Sequence, residues 1–568
     1  MAAFRPIRRR ILFVLCLSPP PRGRSCRTSD WRVPVDEIPR SVVQALLNGP
    51  AGAQWRKFGV ARRAGICVPL FSLRSERGLG IGDAADLHAL VDWCARIGVS
   101  VVQILPINDM GLDAVPYAAL SAYALDPVFL AVDRLPSVVA DSRLMERVRT
   151  TAAELNASGP VEHQRVRREK MALFEEAFRQ EDGPALEAEL AGFRDANPWL
   201  EDYLPYRVIK EVEGFQSWEV WASRYAHPDS LRRFCVENSR RIRFHLYLQF
   251  HLDRQFREVR QYASAHGVLL KGDIPLLVAR DSADVWRHPE YFHLDTAAGA
   301  PPDMYSEEGQ YWGFPTYDWD RLAADDYGWW RARLRQAERY FDLYRIDHVV
   351  GFFRIWTIRL GEKTGKNGWF VPDDESTWGD HGRRLLTMMI ESCGMLPLAE
   401  DLGTIPHVCR NTLADLGICG LKVQRWEKRW EQDRRFIPPE DYPALSVATL
   451  STHDSGVLSE WWELYPQETE ELCELLGLPA PEPGRLDPET HKTTLARMAR
   501  SGSLFAIFML QELLEPFGLL RGTSTDNRIN VPGKVLPTNW VWRMPVTLES
   551  LLEDDATSSQ LRELLARE

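Results

Sequence analysis

The sequence predicts an α/β protein, a (β/α)8 TIM barrel with helical insertions and no separate C-terminal β-domain. Three observations carry this expectation. Three short apolar runs each end on a carboxylate: residues 340–348 (YFDLYRIDH) carry Asp347, 396–402 (LPLAEDL) carry Glu400 and 446–454 (SVATLSTHD) carry Asp454. An acid at the C-terminal end of a buried strand, repeated from strand to strand, is how such a barrel builds an active site. The acids stand 53 and 54 residues apart, room for at least one βα unit per step. Strand-like and helix-like segments also alternate along most of the chain, which favours a parallel sheet. An open doubly wound sheet is the alternative, but it does not explain acids at the ends of so many separate strands.

Taken in order, residues 1–38 form an N-terminal extension. It holds seven Arg before its first acid, Asp30, and a short apolar run at 11–17 followed by three prolines. That run is too short to span a membrane. The segment reads as a targeting peptide or a mis-started extension, and is set apart from the fold. The catalytic barrel is expected over 39–568. Residues 41–47 predict a short helix, 65–70 (GICVPL) a strand and 84–97 a helix. The glycine-rich stretch between them, 78–83, lacks the Lys of a phosphate-binding loop and reads as a tight βα turn with Asp83 near a helix cap. Residues 99–105 (VSVVQIL) predict a second strand. From 136 to 240 the pattern becomes charged, Ala- and Leu-bearing and of period 3.6, which predicts a helical insertion. A long amphipathic helix over 243–265 leads to a strand at 268–275 with Asp273 near its end.

The next segment, 276–319, is long and dense in aromatics: Trp286, Tyr291, Phe292, Tyr305, Tyr311, Trp312 and Phe314. Long connections in compact folds tend to be functional, so this one is expected to be an active-site loop. Helices are expected at 327–341, 380–393 and 404–416, strands ending at Asp347, Glu400 and Arg425, and a last strand before Asp454. Residues 488–514 predict one or two helices, and 547–566 a terminal one.

Composition narrows the function. The net charge of −11 and pI near 5.7 argue against a nucleic-acid partner, which wants a basic face, and leave a neutral polymer acceptable. No stretch suits a membrane span. Nine scattered cysteines without a CxxC pair read as reduced thiols, pointing to a reducing compartment: the cytoplasm, or a plastid if the Arg-rich start is a transit peptide. The absence of HxH or HExxH spacing argues against metal in the chemistry.

Two carboxyl groups flanking a glycosidic bond, with a third acid nearby, are what sugar-bond cleavage requires. In Leu343-Tyr-Arg-Ile-Asp347, strand alternation puts Arg345 on the same side as Asp347. A neighbouring guanidinium favours an ionised carboxylate, as a glycosidic nucleophile must be. Glu400, at the end of an apolar stretch and beside Asp401, suits a proton donor with a raised pKa. His453 beside Asp454 suits hydrogen bonding to sugar hydroxyls. Each acid alone also admits a structural reading as an ion pair or a capped turn.

With these residues in view, the chain resembles the 4-α-glucanotransferases (amylomaltases, or disproportionating enzymes) of the α-amylase superfamily. The matching stretches are LPI at 105–107, PYAALSAY at 116–123, KGDIP at 271–275, DSADVW at 281–286, SEEGQYWG at 306–313, YRIDH at 344–348, AEDLG at 399–403, STHD at 451–454 and RINVPG at 528–533. The resemblance implies that Asp347 is the nucleophile, Glu400 the acid/base and Asp454 the stabiliser of the transition state. It implies sugar contacts from Arg345, His348, His453 and Trp312, and substrate-lining roles for Tyr117, Ser121, Asp273 and Asn530. It implies no cofactor, and α-1,4-glucans and maltooligosaccharides as partners with glucose as an acceptor. Phe314 stands where the family's loop motif usually has Asn, and 352–356 (FFRIW) with 365–372 (GKNGWFVP) resemble the branch of the plant cytosolic enzymes. The triad leaves a hydrolase on the same barrel open; the loop motifs favour transfer. A catalytically silent glucan-binding protein is the reading from another class, and the intact triad argues against it.

Overall fold

The computed structural model describes residues 38–302, 306–480 and 482–567; residues 1–37 of the N-terminal extension and Tyr305 lie outside these. Eight parallel strands form the core: β1 (Arg63–Val68), β2 (Val101–Ile104), β3 (Leu269–Ile274), β4 (Leu343–Ile346), β5 (Leu396–Ala399), β6 (Gly420–Val423), β7 (Ser446–Thr449) and β8 (Phe505–Met509). Their hydrogen-bonded order runs β5-β4-β3-β2-β1-β8-β7-β6. A single bridge between Leu398 and Cys419 closes the ring, with the Ala399 N–H donating to the Cys419 carbonyl at 2.8 Å. The open doubly wound alternative is thereby excluded.

The thinness of that seam follows from sequence. The N–H groups of Leu396 and Glu400 point to β4 and that of Ala399 points to β6. By strand alternation the missing N–H of Pro397 falls on the β6 side, so one rung of the ladder cannot form. Most of the strands are buried on both faces, which is why they read as continuous apolar runs rather than as alternation.

Residues 505–509 (FAIFM) were expected within a helical stretch and instead form β8. A short, fully apolar run looks alike as strand or helix; here its pairing with β1 and β7 decides it. Helices follow most strands, among them Asp86–Arg96 after β1, Trp378–Ser392 after β5's predecessor β4, His407–Leu416 after β5 and Pro488–Ala499 after β7, whereas β6 is followed only by 3-10 turns. No strand follows β8 among the described residues, and the chain continues into the helices Leu548–Glu553 and Asp555–Leu564.

Between β2 and β3, seven helices from Pro136–Ala140 to Pro228–Glu237 precede the long helix Ser239–Ala265. Buried charge ties them to the barrel. The Asp109 carboxylate accepts from Tyr203 Oη at 2.7 Å and Arg207 Nε at 3.0 Å, and Arg167 donates to Asp126 at 2.7 Å. Burial alone would raise the Asp109 pKa, but the two guanidinium groups hold it below the usual range. Asp83, expected at a helix cap, belongs to a similar cluster: it receives Arg77 and lies 3.6 Å from the buried Lys170 ammonium.

The segment expected as one aromatic loop is more ordered than that. Thr296–Ala300 and Gln310–Tyr311 pair with Ile355–Arg359 and Gly368–Val371, which follow β4, in a four-stranded antiparallel sheet. Connections from two neighbouring barrel strands thus support each other beside the C-terminal end of the barrel. Trp286 packs against Tyr206 and Trp221, and Phe292 against Tyr317.

Replacing Arg207 by Met leaves the buried Asp109 carboxylate short of a partner. The loss should be about 3–5 kcal/mol, read as a lower urea midpoint for unfolding; an unchanged midpoint would show that the buried charges do not hold the insertion to the barrel.

Candidate active site

Asp347, Glu400 and Asp454 come together around a cleft of about 740 Å³ at the C-terminal end of the barrel. Arg345 organises its floor. Its Nη1 donates to Asp347 Oδ1 at 2.7 Å and to both oxygens of Asp273 at 2.9 Å, while its Nη2 lies 3.5 Å from Glu400 Oε2. The β3–β4 register sets Asp273 directly opposite Arg345. Gly272, just before it, has no room for a larger residue: an added Cβ would lie 2.4 Å from the Phe341 ring.

Glu400 is held at both oxygens. The His348 N–H donates to Oε2 at 2.9 Å and the Leu402 N–H to Oε1 at 3.0 Å. To present that N–H, His348 adopts φ +43°, a left-handed conformation uncommon for a non-glycine residue and typical of strained functional sites. Burial pushes the Glu400 carboxyl up to about 7; the Arg345 cation opposes this and the Asp347 charge adds to it. A carboxyl so placed holds its proton about 3 kcal/mol more tightly than in water. Burial also depresses His348, to about 4, so its imidazole is neutral.

Asp454 has the opposite character. Its side chain is 45% exposed to the cleft yet ringed by protein. Burial would raise its pKa, but His453 at 3.3 Å and Asn530, which donates at 2.7 Å, hold it near 2. The same contact raises His453 against the opposing effect of its burial. His453 Nε2 lies 3.0 Å from Tyr117 Oη, and Tyr117 donates to Asp273 at 2.8 Å. One chain of contacts therefore joins Asp454 to Arg345 across the floor.

Trp312 stands edge-on to His348, ring centres 5.0 Å apart, and lines the cleft with Tyr311 and Phe314. Of the expected site residues, Asp347, Glu400, Asp454, Arg345, His348, His453, Trp312, Tyr117 and Asn530 line the cleft. Two do not. Asp273 is 3% exposed and lies beneath the surface, acting on Arg345 and Tyr117. Ser121 is 2% exposed, and its Oγ accepts the N–H groups of Tyr123 and Ala124 and shapes a turn beside the barrel rather than lining the cleft.

Sequence reasoning missed Trp426, Trp540 and the loop 531–539. Asn539 staples that loop, accepting from the Val531 N–H at 3.1 Å and donating to the Lys534 carbonyl at 2.8 Å. Trp540 then sits 6.1 Å from the His453 ring. The RINVPG stretch marked the place, but nothing singled out this Trp among 20.

A (β/α)8 barrel whose strand ends carry one proton-holding carboxyl and two partnered carboxylates is built for chemistry at a glycosidic bond. A family profile described as 4-alpha-glucanotransferase matches residues 68–548. A 4-alpha-glucanotransferase of Chlamydia pneumoniae is 37% identical over 90% of this chain and 97% of its own length. One from Oryza sativa subsp. japonica is 28% identical over 89% of this chain and 69% of its own. The amylomaltase of Streptococcus agalactiae in complex with acarbose superposes with a TM-score of 0.77 at 26% identity, covering 89% and 98%. The chain belongs to the 4-alpha-glucanotransferase family.

A general acid works only while protonated. Glu400 loses its proton as pH rises through about 7; with Glu400 in the role of general acid that the resemblance implies, kcat/KM should fall on the alkaline side by about tenfold per pH unit. Initial-rate profiles check this; a plateau running well into the alkaline range would mean that another group donates the proton.

Proposed function

We propose that the protein is a retaining 4-α-glucanotransferase in which Asp347 is the nucleophile, Glu400 the acid and then the base, and Asp454 the carboxylate that steadies the transition state. The observation that carries this is the single Arg345 guanidinium reaching both Asp347 and Glu400. Sharing one planar cation keeps the two carboxyl groups close, which favours the ~5–5.5 Å separation of a retaining pair over the ~6.5–9.5 Å of an inverting one. Asp347 attacks the anomeric carbon while Glu400 gives its proton to the leaving glucan oxygen. The glycosyl–Asp347 ester is then attacked by the 4-OH of a second glucan or of glucose, and Glu400 takes that proton back. His453 and Asn530 keep Asp454 ionised, a negative charge available to the oxocarbenium-like sugar.

Glucans are the substrates. Neutral, hydroxyl-rich chains suit a cleft that combines aromatic faces (Trp312, Tyr311, Trp426 and Trp540) with a few aimed polar groups. Glucose as acceptor is the finer part of the proposal. Tyr311, Trp312 and Phe314 on one side and the loop 531–539 on the other wall the cleft and would shield the ester from water until an acceptor hydroxyl arrives. Among the described residues no helix is long and apolar enough to cross a membrane. The seven described cysteines are free thiols, six of them buried, which supports a reducing compartment such as the cytoplasm.

Given maltotriose alone, the enzyme should yield glucose together with longer oligosaccharides, with the number of glycosidic bonds conserved. Release of reducing ends without longer products would make it a hydrolase. Asp347→Asn should lower turnover by roughly 10⁴-fold or more, by analogy with loss of an essential member of a catalytic set, and leave glucan affinity within a few-fold; measurable turnover near wild type would remove Asp347 from the nucleophile's role.

A further inference from the structure

One buried group of titratable side chains takes no part in the chemistry above. His491 lies in the helix Pro488–Ala499, Glu512 in Leu510–Leu514 and Glu515 on the 3-10 turn that follows. One donor atom from each lies within 4.8 Å of the others. His491 is 1% exposed and Glu512 fully buried. His491 Nε2 and Glu512 Oε2 have no hydrogen-bond partner, and Glu515 has only the nearby Ser459 hydroxyl. Nε2 faces Glu512 Oε2 at 3.4 Å, and Glu515 Oε2 lies 3.9 Å from Nδ1 of the same ring. Buried polar atoms are nearly always partnered, and unmet atoms that converge on one place call for an ion or a bound water. The Arg425 guanidinium offsets part of the charge on Glu512; what remains on two carboxylates facing one imidazole is charge that a cation neutralises and a water does not.

We propose that His491, Glu512 and Glu515 bind a divalent transition-metal ion, Zn²⁺ or Mn²⁺, that braces the Asp454 loop from behind. An imidazole with two carboxylates is a donor set that suits these ions. The ion is structural, because none of the three residues lines the cleft. Its connection to the active site runs through the other oxygen of Glu512. Oε1 accepts the Ser451 hydroxyl and the Leu458 N–H, the latter at 3.0 Å. Those two residues bracket the stretch that carries His453 and Asp454. An ion on Oε2 fixes the Glu512 carboxylate, and the carboxylate fixes both ends of the loop.

The full-length enzyme, produced without a metal-binding tag in medium supplemented with zinc and manganese, tests this by elemental analysis and thermal unfolding. About one equivalent of Zn²⁺ or Mn²⁺ should accompany the wild type, as ions in structural sites do. His491→Ala and Glu515→Gln should each lose it. Adding either ion to chelator-stripped wild type should raise Tm by a few degrees, with no rise in the variants. Glu515→Gln, at the less buried edge of the cluster, serves if His491→Ala does not fold. Stripped wild type that neither regains metal nor shifts its Tm overturns the proposal, and so does metal held equally by wild type and both variants.

Discussion

The active site depends on one guanidinium. Arg345 lies inward on β4, and three carboxyl groups converge on it: Asp273 from β3, Asp347 two residues on, and Glu400 from the end of β5. Three acids around one cation cannot all ionise cheaply where water is scarce. Burial raises Glu400 most, and its contact with the cation is the longest of the three. Asp347 has the 2.7 Å bond, whereas Glu400 has a 3.5 Å approach and two backbone N–H groups. The proposed division of labour between Asp347 and Glu400 rests on their sharing that one cation.

The surrounding structure keeps that arrangement from relaxing. Register pins Asp273 opposite Arg345, and the close approach of Phe341 admits only glycine at 272. The left-handed turn at His348 is tolerated because its N–H has a partner in Glu400. Around the mouth, segments following β3 and β4 share a small sheet and so present Tyr311, Trp312 and Phe314 from an ordered frame. The helical insertion, tied down through Asp109 and Asp126, braces the β2 side of the same barrel.

Much of this was legible in the chain. An acid closing an apolar run marks a strand end, and alternation alone put Arg345 beside Asp347. The barrel followed from counting such runs. What escaped was whatever depends on register or on distant partners. Asp273 reads as another strand-end acid, and only its pairing with β4 shows that it lies below the surface holding Arg345. Ser121 reads as one more polar residue in a motif; its hydroxyl is consumed by the backbone of its own turn. β8 hid inside an apolar run that would fit a buried helix equally well. Trp540 reaches the cleft because Asn539 folds the preceding loop back on itself, which no local pattern announces.

The central claim is that Arg345 makes Asp347, and no other acid, the nucleophile. A fluorinated glycosyl fluoride that slows breakdown of the ester should trap the covalent intermediate for mass spectrometry of peptide digests. The account predicts a single glycosyl adduct on the peptide bearing Asp347, lost in Asp347→Asn. An adduct on Glu400 or Asp454, or glycosyl transfer that proceeds with no adduct at all, would contradict it.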